Sequence, residues 1–591
     1  MMLRGFRWQF LVLVMALVLF VAALASRSTE PDQPNVVQPA PTKVATSQTT
    51  TATLAPTAAP PTANIKPDLN NTPAPVVTYR EALVGSVQRL NPLFTDLNPV
   101  DRDISSLIFE GLTRSNQYGE PEPALAQNWV ISSDGLEYVI RLRQGVLWQD
   151  GMPFKAADVI YTYSLLQSPD FPGSATMGAF WRTVEVEALD NYLVRFRLTQ
   201  PLGSFLDMLR LGILPEHALL GTTAAQIATH PFNLTPIGTG PYQLEALRAP
   251  DGKNVQMVDL RLAPVYRQRP EGQTGYQLDR VSFKLYSSFD EAVTALKAGD
   301  VDGLAARNRY ERPALTGIGG LNVHTTLEPT VGMLIFNWAS DKTKFFREQR
   351  VRQALQMGLD RTSIIQRYLL DAAIKADSPI FPGSWAYTAE LPWPNPDAAA
   401  AKKLLESANI PKDKAEATAE PTATGSLSFR ILTPDDPALA NIAQEIAAQW
   451  AQLNVTVSVD SVDLKTYQER LDKSDFDTAL VELSLGSSAD PDVYHFWDPG
   501  QYPDGPNYGG VDERHIAEEL ERARRDPSGI NRAIHYQNFQ RDFISRAIAI
   551  PLYYPLYTYA TSSKVSGVQL GFMGSPTNRF DTIRDWDIKA S

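Results

Sequence analysis

The sequence predicts an α/β protein built in more than one domain, and three observations carry that expectation. The chain has 591 residues, far beyond the ~250–300 at which a single hydrophobic core stops growing. Val281 to Ser287 reads as a strand, Asp290 starts a short helix carrying Ala292, Val293, Ala295 and Leu296, Gly299 ends it, and Asp300 to Gly303 returns to a strand. Leu427 to Thr433, an amphipathic stretch from Ala438 to Leu453 with Ile442, Ile446 and Trp450 at four-residue spacing, and Val455 to Val459 repeat that order. Strand, helix and strand in succession imply a parallel sheet with right-handed crossovers.

Arg4 and Arg7 precede an apolar run from Phe10 to Ala25, with Ala23-Leu24-Ala25 ahead of Ser26, so residues 1–25 read as a signal peptide or a membrane anchor. As a helix the run is about 24 Å long against a hydrocarbon core of about 30 Å, which leaves both readings open. Residues 26–75 are rich in Pro, Thr and Ala and hold no aromatic side chain. Such a composition cannot bury a core and reads as a disordered stalk. The formal charge of −12, from 54 basic and 66 acidic side chains, argues against a nucleic-acid partner. There is no cysteine, which excludes disulfides, thiolate metal sites, cysteine nucleophiles and a lipid anchor on an N-terminal cysteine.

The folded part opens with Leu90-Asn91-Pro92-Leu93-Phe94, Leu107 to Leu112 and Pro123 to Trp129. Ser133-Asp134-Gly135 is a tight turn, and Tyr138 to Arg143 alternates like a half-buried strand, so a hairpin is expected. Asp150-Gly151-Met152-Pro153 is a further reversal, and Ala156 to Gln167 carries helical spacing. Val184 to Val186 and Leu193 to Leu198 flank Asp190-Asn191 as a second hairpin. Pro236 to Tyr242 contains Gly238-Thr239-Gly240-Pro241; it lacks the Lys-Ser/Thr of a phosphate-binding loop, and reads as a turn leading a strand. Gly332 to Asn337 is an apolar strand, and Val351, Leu355 and Leu359 give the next helix one buried stripe. Arg350 and Arg352 read as a solvated or interdomain face. Asn395-Pro396-Asp397 starts an alanine-rich helix, residues 413–426 revert to the stalk composition as a disordered insertion, and Ile550 to Tyr557 is an aromatic strand.

In this order and spacing, from about Tyr79 to Asp587, the chain resembles the extracellular solute-binding proteins of peptide-type ABC importers, the family of oligopeptide, dipeptide and nickel receptors. The resemblance implies a two-lobed, periplasmic-binding-protein-like α/β fold of class II (cluster C) with a hinge. Lobe I would comprise residues 76–333 and 556–591, and lobe II residues 334–555. It also implies an extracytoplasmic receptor, periplasmic, secreted or tethered to the cell surface. Such a receptor takes a peptide, oligosaccharide or similar small solute and hands it to an ABC permease and ATPase complex, with a membrane contact through the N-terminal segment if that is uncleaved. Neither cofactor nor metal is expected, and no catalytic residues are named: Gly-x-Ser-x-Gly, His-Glu-x-x-His and Walker sequences are absent and only six histidines are present. Asp490, Asp492 and His495 read as Asp-Pro turn chemistry on a surface loop.

Peptide-binding relatives carry a tryptophan and then an amine-pairing aspartate shortly before the Asp-Pro; counted back from Pro491, those positions hold Ser484 and Ser487. Where some relatives offer an arginine to the ligand carboxylate, this chain has Asp435-Asp436. A buried ammonium needs a charged partner, so a neutral or hydroxylated solute is as well suited as a short peptide. The expected ligand-binding residues are Ser484 and Ser487 as polar groups, with Trp181, Trp338 and Trp385 as apolar walls. A membrane-tethered sensor, an enzyme on the same lobes and a metal-chelate receptor are the alternatives.

Overall fold

The computed structural model describes residues 76–369, 371–408, 427–484 and 490–589. The signal or anchor segment, the stalk, the 413–426 insertion and Ser487 lie outside the described residues. Residues from Ala74 onward form one compact unit.

One strand, Ile550–Ser562, dominates the architecture. Its β-branched and aromatic residues suit a pleated surface buried on both faces, and all but Leu556 and Ser562 are buried. It runs through a mixed twelve-stranded sheet. Near its start it pairs antiparallel with Thr330–Phe336 and Ala373–Lys375; further along it pairs with Leu321–Leu327 and Gly303–Ala305. Beyond Thr330–Phe336 the sheet continues through Thr478–Ser484, Ser428–Pro434 and Thr456–Val462. Beyond Gly303–Ala305 it continues through Thr78–Val84, Arg280–Tyr286, Met257–Leu262 and Tyr242–Arg248. A separate four-stranded antiparallel sheet holds both predicted hairpins, Ala126–Ile131 with Glu137–Leu142 and Glu185–Asp190 with Leu193–Arg197.

The expected strand, helix and strand units are present, with one difference. Ser428–Pro434 pairs parallel with Thr456–Val462 across the helix Pro437–Ala451. In the other unit, Arg280–Tyr286 and Gly303–Ala305 are not neighbours, because Thr78–Val84 lies between them, parallel to both. The connecting helix Phe289–Ala298 is capped by Ser288, whose side chain accepts from Glu291 N, rather than by Asp290, and ends at Gly299 in the left-handed region.

Buried hydrophobic side chains separate into two large cores and a small one. The first core runs from Tyr79 to Phe283 and takes up Tyr557, Tyr559 and Trp586 from the chain's end. The second runs from Val331 to Tyr554, and the third gathers around the helix Phe289–Ala298. The changeover from second core to first thus falls within the long strand, between Tyr554 and Tyr557.

Each large core encloses an arginine. In the first, Arg579 is 1% exposed; its Nε donates to Glu81 at 3.0 Å and its Nη2 to Asp103 at 2.7 Å. Glu81 also accepts from Tyr79 and Tyr559, whose hydroxyls bond each other. Burial raises the Glu81 carboxyl above its ordinary range, and Arg579 and the two tyrosines oppose that shift. In the second core, Arg352 is not on a solvated face. Its guanidinium lies 3.9 Å from the centre of the Trp338 ring and donates to the carbonyls of Phe346, Ala547 and Arg546. Burial lowers its pKa to about 9. The helical stripe placed Val351 and Leu355 correctly, but an arginine beside a stripe carries no local sign that three carbonyls will converge on it. Arg350 pairs with Glu348 and with the Ser407 carbonyl at the surface.

Removing Arg579 leaves Glu81 buried without a cation and Asp103 with only its longer pair to Arg102 at 3.7 Å. Arg579→Met is expected to cost about 3–5 kcal/mol in urea unfolding, whereas Arg267→Met, which breaks the exposed pair with Asp279, should stay within about 1 kcal/mol of the parent.

Candidate functional site

The walls of one large cavity are built by short-range rules. Asn98 caps the helix Pro99–Ile108 by accepting from Val100 N, with proline at the first helical position. The chain then turns through Glu110-Gly111 to Asn116, whose side-chain oxygen accepts from Tyr118 N and Glu120 N and closes a tight loop at Gly119. The Gly-Thr-Gly-Pro turn backs this wall. A Cβ at Gly238 or Gly240 would meet the Ile108 carbonyl at 1.8 or 2.7 Å, so only glycine allows the approach. Gln149 locks the turn, accepting from Gly238 N at 2.8 Å and donating to Tyr242 O at 2.8 Å. The strand Tyr242–Arg248 follows directly.

The cavity has a volume of about 830 Å³, within the ~300–1,000 Å³ typical of small-molecule sites. All its lining residues come from the first-core part of the chain. Charges of both signs face it, and they are paired: Arg114 with Glu122 at 2.6 Å, Arg210 with Asp207 at 2.6 Å, and Glu110 with Arg269 at 2.8 Å. Asp581 lines the cavity with an exposed side chain; the protein around it raises its carboxyl pKa to about 6, against the pull of Asn578, Arg210 and Arg114. Ser105 Oγ and Ser115 Oγ, both buried at this wall, have no hydrogen-bond partner among the described residues. Buried hydroxyls of that kind are rare and call for a partner.

A second space of about 250 Å³ adjoins it and shares Gln117, Tyr118, Gly571 and Phe572. Its remaining walls are Thr326 to Pro329, Leu570, Met573 and, from the second core, Phe381-Pro382-Gly383. It therefore reaches both cores. Thr326 Oγ1 donates to Gly571 O, and Phe572 N donates to Gln117 O, which tie these segments together. The cores also meet at Gly203: its carbonyl accepts from Arg532 Nη1 at 2.9 Å and its N–H donates to Arg524 O. Arg532 pairs with Asp490 at 2.8 Å, and Arg524 with Asp492 at 2.9 Å. Asp490 and Asp492 are thus anchors for buried or half-buried arginines, not turn residues of a surface loop. His495 is held neutral, its pKa lowered to about 4 by burial and by Arg524.

Of the five expected ligand residues Ser487 lies outside the described residues, and the structure does not bring the other four together. Trp181 is 1% exposed, packed against Tyr163, Phe196 and Phe205; only an edge contributes to the large cavity. Trp338, expected at a cleft wall, instead carries the Arg352 guanidinium inside the second core and lines none of the described cavities. Trp385 is half-buried beside Tyr536 and Arg532. Ser484 ends the strand Thr478–Ser484 with an exposed side chain. Asp436 caps the helix Pro437–Ala451 and accepts from the Tyr310 hydroxyl, so the acid at that position is structural. Sequence reasoning missed Ser105, Ser115, Asp581 and Glu328 as cavity residues. For Glu328 there was a faint signal, a lone acid in Leu327-Glu328-Pro329 just ahead of an apolar strand.

Comparison with known proteins agrees with this architecture. The family model described as bacterial extracellular solute-binding proteins, family 5, matches residues 120–504. The oligopeptide-binding protein AppA of Bacillus subtilis is 26% identical over 442 residues, covering 72% of this chain and 77% of that protein. The dipeptide-binding protein of Escherichia coli is 25% identical over 431 residues, covering 69% and 76%. NikZ from Campylobacter jejuni, solved in complex with Ni(L-His), superposes with a TM-score of 0.61 at 25% identity, over 87% of this chain and 99% of that one. The fold is that of the periplasmic binding proteins.

Asp581 yields a pH signature. Its folded pKa of about 6 lies above the ordinary aspartate value of about 3.9, so ionisation disfavours the folded state; the penalty is absent below about pH 4 and complete above about pH 6. Asp581→Asn is expected to melt higher relative to the parent at pH 7 than at pH 4, read by thermal unfolding at the two pH values.

Proposed function

The chain belongs to the bacterial extracellular solute-binding proteins, family 5, and from that premise we propose that it is an importer receptor that takes a peptide or similar zwitterionic solute into the large cavity and its annex and delivers it to an ABC permease. The family is one of solute-binding proteins acting outside the cytoplasm, not of enzymes. The observation that carries the finer reading is the cavity of about 830 Å³ with paired charges of both signs in its lining. Such a lining suits a ligand carrying backbone-like donors and acceptors better than a fully apolar one. The annex touches both cores, so a ligand filling it can bias lobe closure through contacts made to each side. Uncleaved, residues 1–25 and the stalk would hold the receptor near its permease; cleaved, the receptor would be released from that tether. Among the described residues no helix is long and apolar enough to cross a membrane.

A thermal-shift screen of the full chain against tripeptides, disaccharides and metal chelates tests the reading. A ligand at a hundredfold excess over its Kd raises stability by about 2.7 kcal/mol. Tripeptides are expected to shift the melting temperature. A shift with sugars alone would replace the peptide assignment, and no shift with any class would remove the importer reading.

A further inference from the structure

The two large cores meet again away from the shared strand. Gly203 follows Leu193–Arg197 of the four-stranded sheet and precedes Phe205 and Leu206 of the first core. It faces the end of the helix Arg514–Arg525, whose Ile516, Leu520 and Ala523 are buried in the second core. Gly203 N donates at 2.6 Å to the carbonyl of Arg524, in the last helical turn, where carbonyls have no intrahelical donor. Gly203 O accepts from Arg532 Nη1 at 2.9 Å. Both backbone polar groups of one first-core residue are thus satisfied by the second core.

Each side is fixed by its own core. The Tyr138 hydroxyl donates to Leu202 O at 3.0 Å, and its ring centre lies 4.7 Å from that of Phe205, which holds the loop carrying Gly203. Opposite, Arg532 Nε donates to Ala523 O at 2.9 Å and Nη2 to Asp490 at 2.8 Å, so the guanidinium is pinned before it reaches Gly203. The missing side chain at position 203 is accounted for by the other core. A Cβ there would meet Arg532 Nε at 2.5 Å and its Cδ and Cζ at 2.9 Å, the three nearest atoms, while the backbone of Gly203 is not in the left-handed region that demands glycine. The junction is also narrow. A space of about 230 Å³ lies beside it, lined by Val184 and Leu202 from one side and Tyr494 and Arg525 from the other, so a few hydrogen bonds rather than continuous apolar packing join the cores here. Parting them strands no charge, because Arg532 keeps Asp490, and water can take over the Gly203 groups.

We propose that Gly203, Arg524 and Arg532 form a releasable latch, which holds the two cores in this arrangement through protein-to-protein bonds and whose release lets them part. The latch is independent of the receptor reading above and of which solute is carried, since all of its bonds are made between groups of this chain.

The absence of cysteine allows a clean test by spin labelling. Leu189→Cys on the strand Glu185–Asp190 and Ile530→Cys on the helix Gly529–Ser545 place one label on each side of the junction, at exposed positions outside the latch. Pulsed electron–electron double resonance on the full chain, with no solute added, is expected to give one dominant, narrow distance population. Gly203→Ala puts a methyl group against the guanidinium; Arg532→Lys keeps a cation beside Asp490 but lacks the second arm that reaches Gly203. Each is expected to lower the closed-to-open ratio about tenfold or more, the scale of one charged hydrogen bond, seen as a longer and broader second population. Gly319→Ala, where a Cβ meets nothing within 4 Å, should leave the distances unchanged. Folded Gly203→Ala and Arg532→Lys variants with the parent's distances would overturn the latch, as would a parent already spread over long distances. Failure of Gly203→Ala to fold, read by circular dichroism, would show that its own core excludes the methyl group and would overturn the role given to Gly203; Arg532→Lys then decides whether the arginine latches alone. The receptor reading stands in every case, because no ligand enters the measurement.

Discussion

The structure depends on the shared strand Ile550–Ser562. At 3.2–3.4 Å per residue it spans roughly 40 Å, and strands belonging to both large cores hydrogen-bond to it. Its tyrosines divide between them: Tyr553 and Tyr554 are buried in the second core, Tyr557 and Tyr559 in the first. The partner changes from Gly332, opposite Tyr553, to Leu327, opposite Leu556. Pro555 sits in that gap. Without an N–H it cannot donate to a ladder, but its carbonyl accepts from Glu328 N.

Around this strand the two cores solve the problem of buried charge differently. The first surrounds Arg579 with two carboxylates and two phenols, a network in which Glu81 accepts from Arg579, Tyr79 and Tyr559 and one oxygen of Asp103 accepts from Arg579. The second gives Arg352 no acid in contact, only three carbonyls and the Trp338 face. That arrangement desolvates the cation with partial compensation, which is why its pKa falls while that of Arg579 rises. Between the cores, Arg532 joins Asp490 and Tyr536 to the Gly203 carbonyl, and Gly203 leaves no room for a Cβ beside that guanidinium.

Local pattern made much of the fold legible. Both hairpins follow from alternation around Asp-containing turns, and the helix Gln349–Met357 follows from one apolar stripe. The Gly-Thr-Gly-Pro turn was readable as a strand leader, though not why it needs glycine, since the Ile108 carbonyl that crowds it is 130 positions away. Long-range placements escaped for the same reason. Thr78–Val84 inserts between two strands some 200 positions later, and no periodicity signals such an insertion. Tryptophans are poor guides to a cleft, because a large ring fills a core as readily as it lines a wall; Trp181 and Trp338 took that course. The amine question was posed by Ser487, which lies outside the described residues.

The placement of the two cavities would have an energetic consequence for a receptor that works by closure. A ligand shifts an equilibrium only by the difference between its affinities for the two states. The large cavity is lined from the first-core part of the chain alone, so a solute seated there and nowhere else keeps the same contacts whichever way the second core lies, and its affinity does not favour closure. The annex is different. Phe381, Pro382 and Gly383 belong to the second-core side, Tyr118 and Phe572 to the first, and Glu328 to the segment between. A ligand group there makes contacts that exist together only when the cores are in this arrangement. In the proposed receptor the large cavity would therefore supply capacity, while the annex, much the smaller space, would supply the part of the binding energy that holds the cores together.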